Sequence, residues 1–190
     1  MPVIAIPDPS LVVLVGPAGS GKSTFAARHF APDEVLSSDA YRALLSGDEA
    51  DQRTTRTAFS ILHRDVIRRL GAGRLVVVDA TNVERHARRA LMERARAAGV
   101  PAIAIVLALP AEVVHAWNAA RKGRVVDPSV VDRHLDRLAR TVGDGGIVGA
   151  ISSGISGEGF AAVHVLRSAS EVDDVVLERR RLEASPPSPR

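Results

Sequence analysis

Apolar residues along this chain fall into two rhythms, short unbroken runs and longer stretches with helical spacing, and the two alternate. Residues 11–15 form an apolar run that breaks at Gly16, and a glycine-rich turn then leads into Lys22-Ser-Thr-Phe-Ala-Ala-Arg, which has helical character. This predicts strand, loop, helix. A second short strand is predicted over 34–37, ending just before Asp39, and residues 40–45 predict a brief helix closed by Gly47. Between 51 and 70, Phe59, Leu62, Val66 and Leu70 recur at steps of three and four, one face of a helix whose other face is rich in arginine.

Gly71 and Gly73 stop that helix, and Leu75-Val-Val-Val is a β-branched run ending in Asp79, as expected of a strand covered on both faces. A helix over 83–98, a strand over 102–109 and helices over 110–120 and 128–141 follow. Strands separated by helices predict a parallel α/β sheet, because parallel neighbours need crossover connections. Residues 143–159 are rich in Gly and Ser and predict a long, mobile loop. A last strand over 161–166 and a terminal helix over 171–182 complete the pattern. The expected organisation is one domain over 1–182 with a disordered tail over 183–190, where Pro and Ser dominate.

Composition narrows the function classes. The chain has 190 residues, 46% hydrophobic and 25% charged, the proportions of a folded globular domain. It has no cysteine, which excludes disulfides, thiolate metal sites and cysteine nucleophiles. The first ten residues lack the pattern of a secretory signal, and no apolar run reaches the length of a membrane span, so a cytoplasmic location is expected. The net charge of +3 and the excess of Arg over Lys favour anionic ligands only weakly.

The chemistry concentrates at four places. Gly16-Pro-Ala-Gly19-Ser20-Gly21-Lys22-Ser23 fits G-x-x-x-x-G-K-[ST] between a predicted strand and a predicted helix, the context of a phosphate-binding P-loop. Its backbone N–H groups, including that of Thr24 at the helix start, would face phosphate oxygens. Lys22 would reach the β and γ phosphates of ATP, and Ser23 would ligate Mg²⁺. Asp79 ends an apolar strand beside this loop, where a carboxylate would hold the same Mg²⁺. It could instead cap the following helix, a role that Asn82 fits better. Asp39 with Arg42, one helical turn on, could take a proton from an acceptor hydroxyl and hold the acceptor, or Asp39 could be a helix cap. Arg121, Lys122 and Arg124 crowd a connection that reads either as a solvated turn or as a basic lid over a transferring phosphoryl group.

Other arginines, among them Arg53, Arg56, Arg64, Arg68, Arg85, Arg88 and Arg89, fit either solvated helix faces or a path for a nucleic-acid backbone. His63 takes no assigned role.

The chain resembles the kinase module of bacterial polynucleotide kinase-phosphatase enzymes, within the P-loop polynucleotide 5′-kinase family. The stretches that carry the resemblance are GPAGSGKSTFAARHF (16–30), EVLSSDAYRALLSGDEADQ (34–52), AFSILH (58–63), LVVVDATNV (75–83) and residues 158–160. The resemblance implies a P-loop NTPase fold of the adenylate-kinase-like type, ATP and a divalent cation as cofactors, and a polynucleotide 5′-hydroxyl as acceptor. It implies that Asp39 is the general base, that Arg42 contacts the acceptor end, and that Arg121 and Arg124 belong to the lid.

Two departures stand out. The family's lid runs R-N-x-x-R-x-x-R, whereas Trp117-Asn-Ala-Ala-Arg121-Lys-Gly-Arg124 puts Trp in the first position, which offers adenine stacking but no guanidinium hydrogen bonds. Family members of this type are often one module of a larger repair enzyme, and no phosphatase or ligase region follows in these 190 residues, so separate chains are expected to supply those activities if nucleic-acid end repair needs them. Two other functions stay open: a kinase of a small metabolite or antibiotic, since a fold does not fix its substrate, and a nucleotide-binding protein without transfer activity.

Overall fold

A computed structural model describes residues 2–46, 55–122, 125–142 and 154–182. The chain opens on β1 (Val3–Asp8), followed by β2 (Leu11–Val15), α1 (Lys22–His29), β3 (Val35–Ser37), α2 (Ser38–Ser46), α3 (Thr55–Gly71), β4 (Val76–Asp79), α4 (Arg85–Ala97) and β5 (Ala102–Leu107). Then come α5 (Ala111–Ala119), α6 (Pro128–Val142), β6 (Ala162–Leu166), α7 (Ala169–Asp174) and β7 (Val176–Arg181). Five strands pair in the order β3-β4-β2-β5-β6, every neighbour parallel, as the alternating pattern predicts. Among the described residues no helix is long and apolar enough to cross a membrane.

The unbroken apolar runs have a direct cause. Alternate residues of β2 enter opposite cores: Val12 and Leu14 meet Phe25, Val114 and Val131 on one face, while Leu11, Val13 and Val15 meet Leu62, Val66 and Leu91 on the other. A strand with helices on both faces has no polar side to show. The buried stripe of α3 is Ala58, Leu62, Val66 and Leu70. Phe59 packs against the same cluster, as predicted, but at the edge of the stripe. It lies half-buried one position round the helix, facing the carboxyl ends of the strands.

The terminal helix predicted over 171–182 stops at Asp174, and a strand takes most of the rest of that span. Ser168 caps the short α7 by accepting a hydrogen bond from the Glu171 N–H, and the helix ends at Asp174. Asp173 and Asp174 are unfavourable at a helix carboxyl end, where the macrodipole is negative, and Val175-Val176-Leu177 prefer extended backbone. That segment finds a partner in β1, with Val3 to Asp8 opposite Val176 to Arg181 in parallel register. This second, two-stranded sheet was hidden in the sequence because each strand carries an interruption of its apolar pattern, Pro7 in one and a run of three arginines in the other. Ile4 and Ile6 of β1 are buried in the same cluster as β2 and β5, and Arg179 reaches Glu34 with two hydrogen bonds of 2.6 and 2.7 Å.

Burial decides what a change in β1 costs. Ile6→Ala is expected to lower stability to urea by about 2–5 kcal/mol, and Val3→Ala, at a position more than half exposed, by less than about 0.5 kcal/mol. Equal effects would contradict the packing of this strand.

Candidate active site

After Val15 the chain turns through six residues before α1 begins at Lys22. Two positions in the turn require glycine. Gly19 and Gly21 have φ of 84° and 85°, in the left-handed region. A Cβ at 19 would sit 2.7 Å from Asn118 Cβ, and one at 21 would sit 2.9 Å from the Trp117 ring. Helix α5 thus closes on the turn at a distance that side chains would forbid. Ser20 and Lys22 are buried, and the Lys22 ammonium donates to the carbonyls of Gly16 (3.0 Å) and Pro17 (2.7 Å) and to Ser20 Oγ (3.4 Å). Burial pushes its pKa down to about 8; the Asp79 carboxylate opposes that shift and the Arg121 charge adds to it.

Parallel register brings the second component alongside. Leu14 of β2 pairs with Asp79 of β4, and Ser23 Oγ donates to Asp79 Oδ2 at 2.7 Å. A hydroxyl and a carboxylate in contact form an all-oxygen donor pair, suited to a hard divalent cation such as Mg²⁺. Beyond Asp79 the chain stays tied to the loop: the Gly16 N–H donates to Thr81 O at 2.9 Å, and Asn82 Nδ2 donates to Leu14 O at 2.8 Å.

Asn82 is not the helix cap that the sequence predicts. It is buried, with φ of 47°, and its amide is spent on β2; α4 starts later, after Glu84. Arg88 holds this segment from below. Its Nη1 donates to Asn82 O (2.9 Å) and Val83 O (2.8 Å), while Nε and Nη2 grip both Glu158 oxygens at 2.8 and 2.5 Å. Arg88 is therefore an interior anchor rather than part of a surface path, and the sequence pattern, a lone Arg on an Arg-rich helix, gave no sign of it.

A cleft of about 740 Å³ opens at this edge of the sheet and gathers most of the candidate residues. Lys22, Ser23, Thr24 and Asp79 line one side, Asp39 and Arg42 another, Trp117 and Arg121 a third. Asp39 and Arg42 form an ion pair within the first turns of α2, with Arg42 nearly buried and Asp39 a third exposed. Helix α2 is fixed against α3 by Tyr41, whose hydroxyl donates to Asp65 at 2.5 Å; burial, reinforced by that bond, pushes the Tyr41 pKa up to about 12. Trp117 packs over Gly21 with its ring on the cleft wall. Arg124 lies outside the described residues, as do Arg53 and residues 143–153 of the predicted loop; residues 155–157 form a short 3-10 turn.

Sequence reasoning assigned no role to two residues, His134 on the cleft wall and Asn118 buried behind it. His134 Nδ1 accepts from the Ala18 N–H at 3.4 Å, and burial, then the charges of Lys22, Arg137 and Arg133, lower its pKa. It is therefore neutral at neutral pH, as an acceptor nitrogen requires. Asn118 clamps the chain after the basic connection, its side chain exchanging hydrogen bonds of 2.7 and 3.1 Å with the Val126 backbone. Both sit on amphipathic helices at positions that look like ordinary helix faces.

A family model described as AAA domain matches residues 11–143. Among solved structures, a chain of the Pnkp1/Rnl/Hen1 RNA repair complex is similar over 72% of this chain, with 23% identity and a TM-score of 0.60, and this chain spans 46% of that one. A gluconokinase from Sinorhizobium meliloti is similar at 19% identity and a TM-score of 0.51, covering 89% of this chain and 88% of its own. A sugar kinase from a Janibacter species is similar at 20% identity and 0.51, covering 84% and 85%. No curated protein matches the chain by sequence. At these identities the likeness is one of fold, a parallel sheet flanked by helices as in P-loop kinases.

The Arg88–Glu158 pair yields a stability test. Glu158→Ala leaves a buried guanidinium without its counter-charge and is expected to cost about 3–5 kcal/mol in denaturant unfolding. Arg88→Met combined with Glu158→Leu is expected to recover most of that loss. A single variant as stable as the parent would show that the pair does not anchor the segment.

Proposed function

The chain belongs to the AAA-domain family, and we propose that it is an ATP-dependent kinase that transfers the γ-phosphate to the 5′-hydroxyl of a polynucleotide. The reading rests on one juxtaposition: the Asp39–Arg42 pair shares a single cleft with Lys22, Ser23 and Asp79. One domain over 1–182 carries the activity.

The turn from Gly16 to Ser23, with Thr24, cradles the triphosphate through backbone N–H groups, aided by the amino end of α1. Lys22 leaves the Gly16 and Pro17 carbonyls and turns its ammonium to the β and γ phosphates, whose charge restores the proton affinity that burial takes away. Ser23 and Asp79 would hold Mg²⁺, which neutralises charge on the phosphate oxygens when bound. Asp39 accepts the proton of the acceptor hydroxyl as its oxygen attacks the γ-phosphorus, and the bond from that phosphorus to the β,γ-bridging oxygen breaks, releasing ADP. Arg42 orients Asp39 and the acceptor end. Arg121 would stabilise the charge on the transferring group, a role proposed for Arg124 as well, and Trp117 offers a flat surface to the adenine instead of a third guanidinium. Separate phosphatase or ligase chains would complete end repair around it.

Asp39→Asn keeps the size of the side chain and one acceptor oxygen but removes the charge that pairs with Arg42 and the proton acceptor. Its kcat on a 5′-hydroxyl oligonucleotide is expected to fall about 10²–10⁴-fold, with the KM for ATP little changed. Turnover at the parent rate would remove Asp39 from the base role. Turnover of a sugar or nucleoside with none of any oligonucleotide would select the small-metabolite kinase instead.

A further inference from the structure

A second concavity lies beside the cleft. It is an open groove of about 480 Å³ along α3, and it shares Thr55 and Phe59 with the cleft, so the two are continuous. Its charged lining is Arg56 and Arg64 from α3 and Arg94 from α4; Phe59 and Ile67 supply apolar surface, Ile67 more than half exposed.

Several arginines of these two helices are matched with partners, while others, including Arg85 and Arg96 away from the groove, have no ion pair among the described residues. Arg68 pairs with Asp65, Arg89 pairs with Glu93, Arg69 donates to the Asp33 carbonyl, and Arg88 is locked inside. By contrast, Arg56 and Arg64 are exposed and have no ion pair among the described residues. Arg94 bonds only the Ala90 carbonyl of its own helix, at 2.5 Å, and its Nε is buried without a partner. His63, between them, adds no charge, because burial, with help from Arg94, pushes its pKa down to about 4. Among the described residues the groove thus concentrates positive charge without a carboxylate next to flat or apolar side chains, the combination that suits a single-stranded nucleic acid.

We infer that this groove is a second binding site for the acceptor strand, taking the phosphodiester backbone of nucleotides beyond the 5′ end at Arg56, Arg64 and Arg94, with bases against Phe59 and Ile67. The inference rests on the polynucleotide reading of the cleft. The 5′ nucleotide enters beside Asp39 and Arg42, and the rest of the strand leaves past Thr55 and Phe59 onto α3.

The test compares a short and a long acceptor. A nucleoside 3′-monophosphate fills only the cleft, whereas a 5′-hydroxyl oligonucleotide of about ten nucleotides, within single-strand site sizes, would also reach the groove. Oligodeoxynucleotides and oligoribonucleotides form separate arms, and an effect in either supports the site and says which polymer it takes. The Arg56→Ala/Arg64→Ala variant is expected to keep the parent's kcat and KM on the nucleoside 3′-monophosphate and its KM for ATP. Its KM for the oligonucleotide is expected to rise roughly tenfold, and the slope of log KM against log salt to fall by about 1.4, for two lost phosphate contacts. An unchanged oligonucleotide KM in both arms would overturn the groove while leaving the kinase reading intact, as would equal losses on the short and long acceptors. A parent protein that phosphorylates neither acceptor would overturn the polynucleotide reading itself, and the groove with it.

Discussion

The parallel pairing of β2 with β4 is the constraint on which the rest of the site depends. With Leu14 opposite Asp79, the phosphate-binding turn and the carboxylate leave the sheet at the same level, close enough for the 2.7 Å bond between Ser23 and Asp79. A slip of one residue would turn every side chain of β4 to the other core and remove that contact. The register is secured twice over: by two different cores, which read alternate residues of the same strands, and by the bonds from Gly16 to Thr81 and from Asn82 to Leu14 just beyond the strand ends. Arg88 and Glu158 then hold the following segment from inside the protein, so the cleft edge is supported by interior polar contacts.

The same arrangement explains the electrostatics of the cleft. Lys22 is buried and leans on backbone carbonyls, which leaves its ammonium under-solvated, and the charge of Arg121 works against it further. A polyanion entering the cleft relieves both effects at once. On the proposed reading, the cost of holding Lys22 and Arg121 near one another favours phosphate, with Asp79 as the counter-charge to Lys22. Farther out, the groove on α3 continues the positive charge along a path with no carboxylate among the described residues, while Arg68, Arg69 and Arg89 are matched with acidic or carbonyl partners.

How much of this was legible in the sequence follows from how local each signal is. The P-loop, the apolar strands and the Asp79 strand end were readable because glycine spacing and β-branched runs act within a few residues. Asp39 and Arg42 were readable as a pair, and the fold brings them to the expected cleft. The sheet of β1 and β7 was not, because its strands lie at opposite ends of the chain and each looks irregular without the other; the later part of the predicted terminal helix lost to that pairing. Asn82 and Arg88 were misjudged for a related reason. Their roles are set by carbonyls and a carboxylate distant in sequence, Leu14 O and Glu158, which no periodicity announces. His134 and Asn118 hid on helices whose spacing looked ordinary.

The central claim is transfer of the γ-phosphate of ATP to a polynucleotide 5′-hydroxyl, and it is tested most directly by incubating the protein with γ-labelled ATP, Mg²⁺ and matched oligonucleotides ending in 5′-hydroxyl or 5′-phosphate, with Lys22→Ala as the control. The account predicts label on the 5′-hydroxyl strand alone, and none with the variant. No label on either strand from a protein that binds ATP would contradict it.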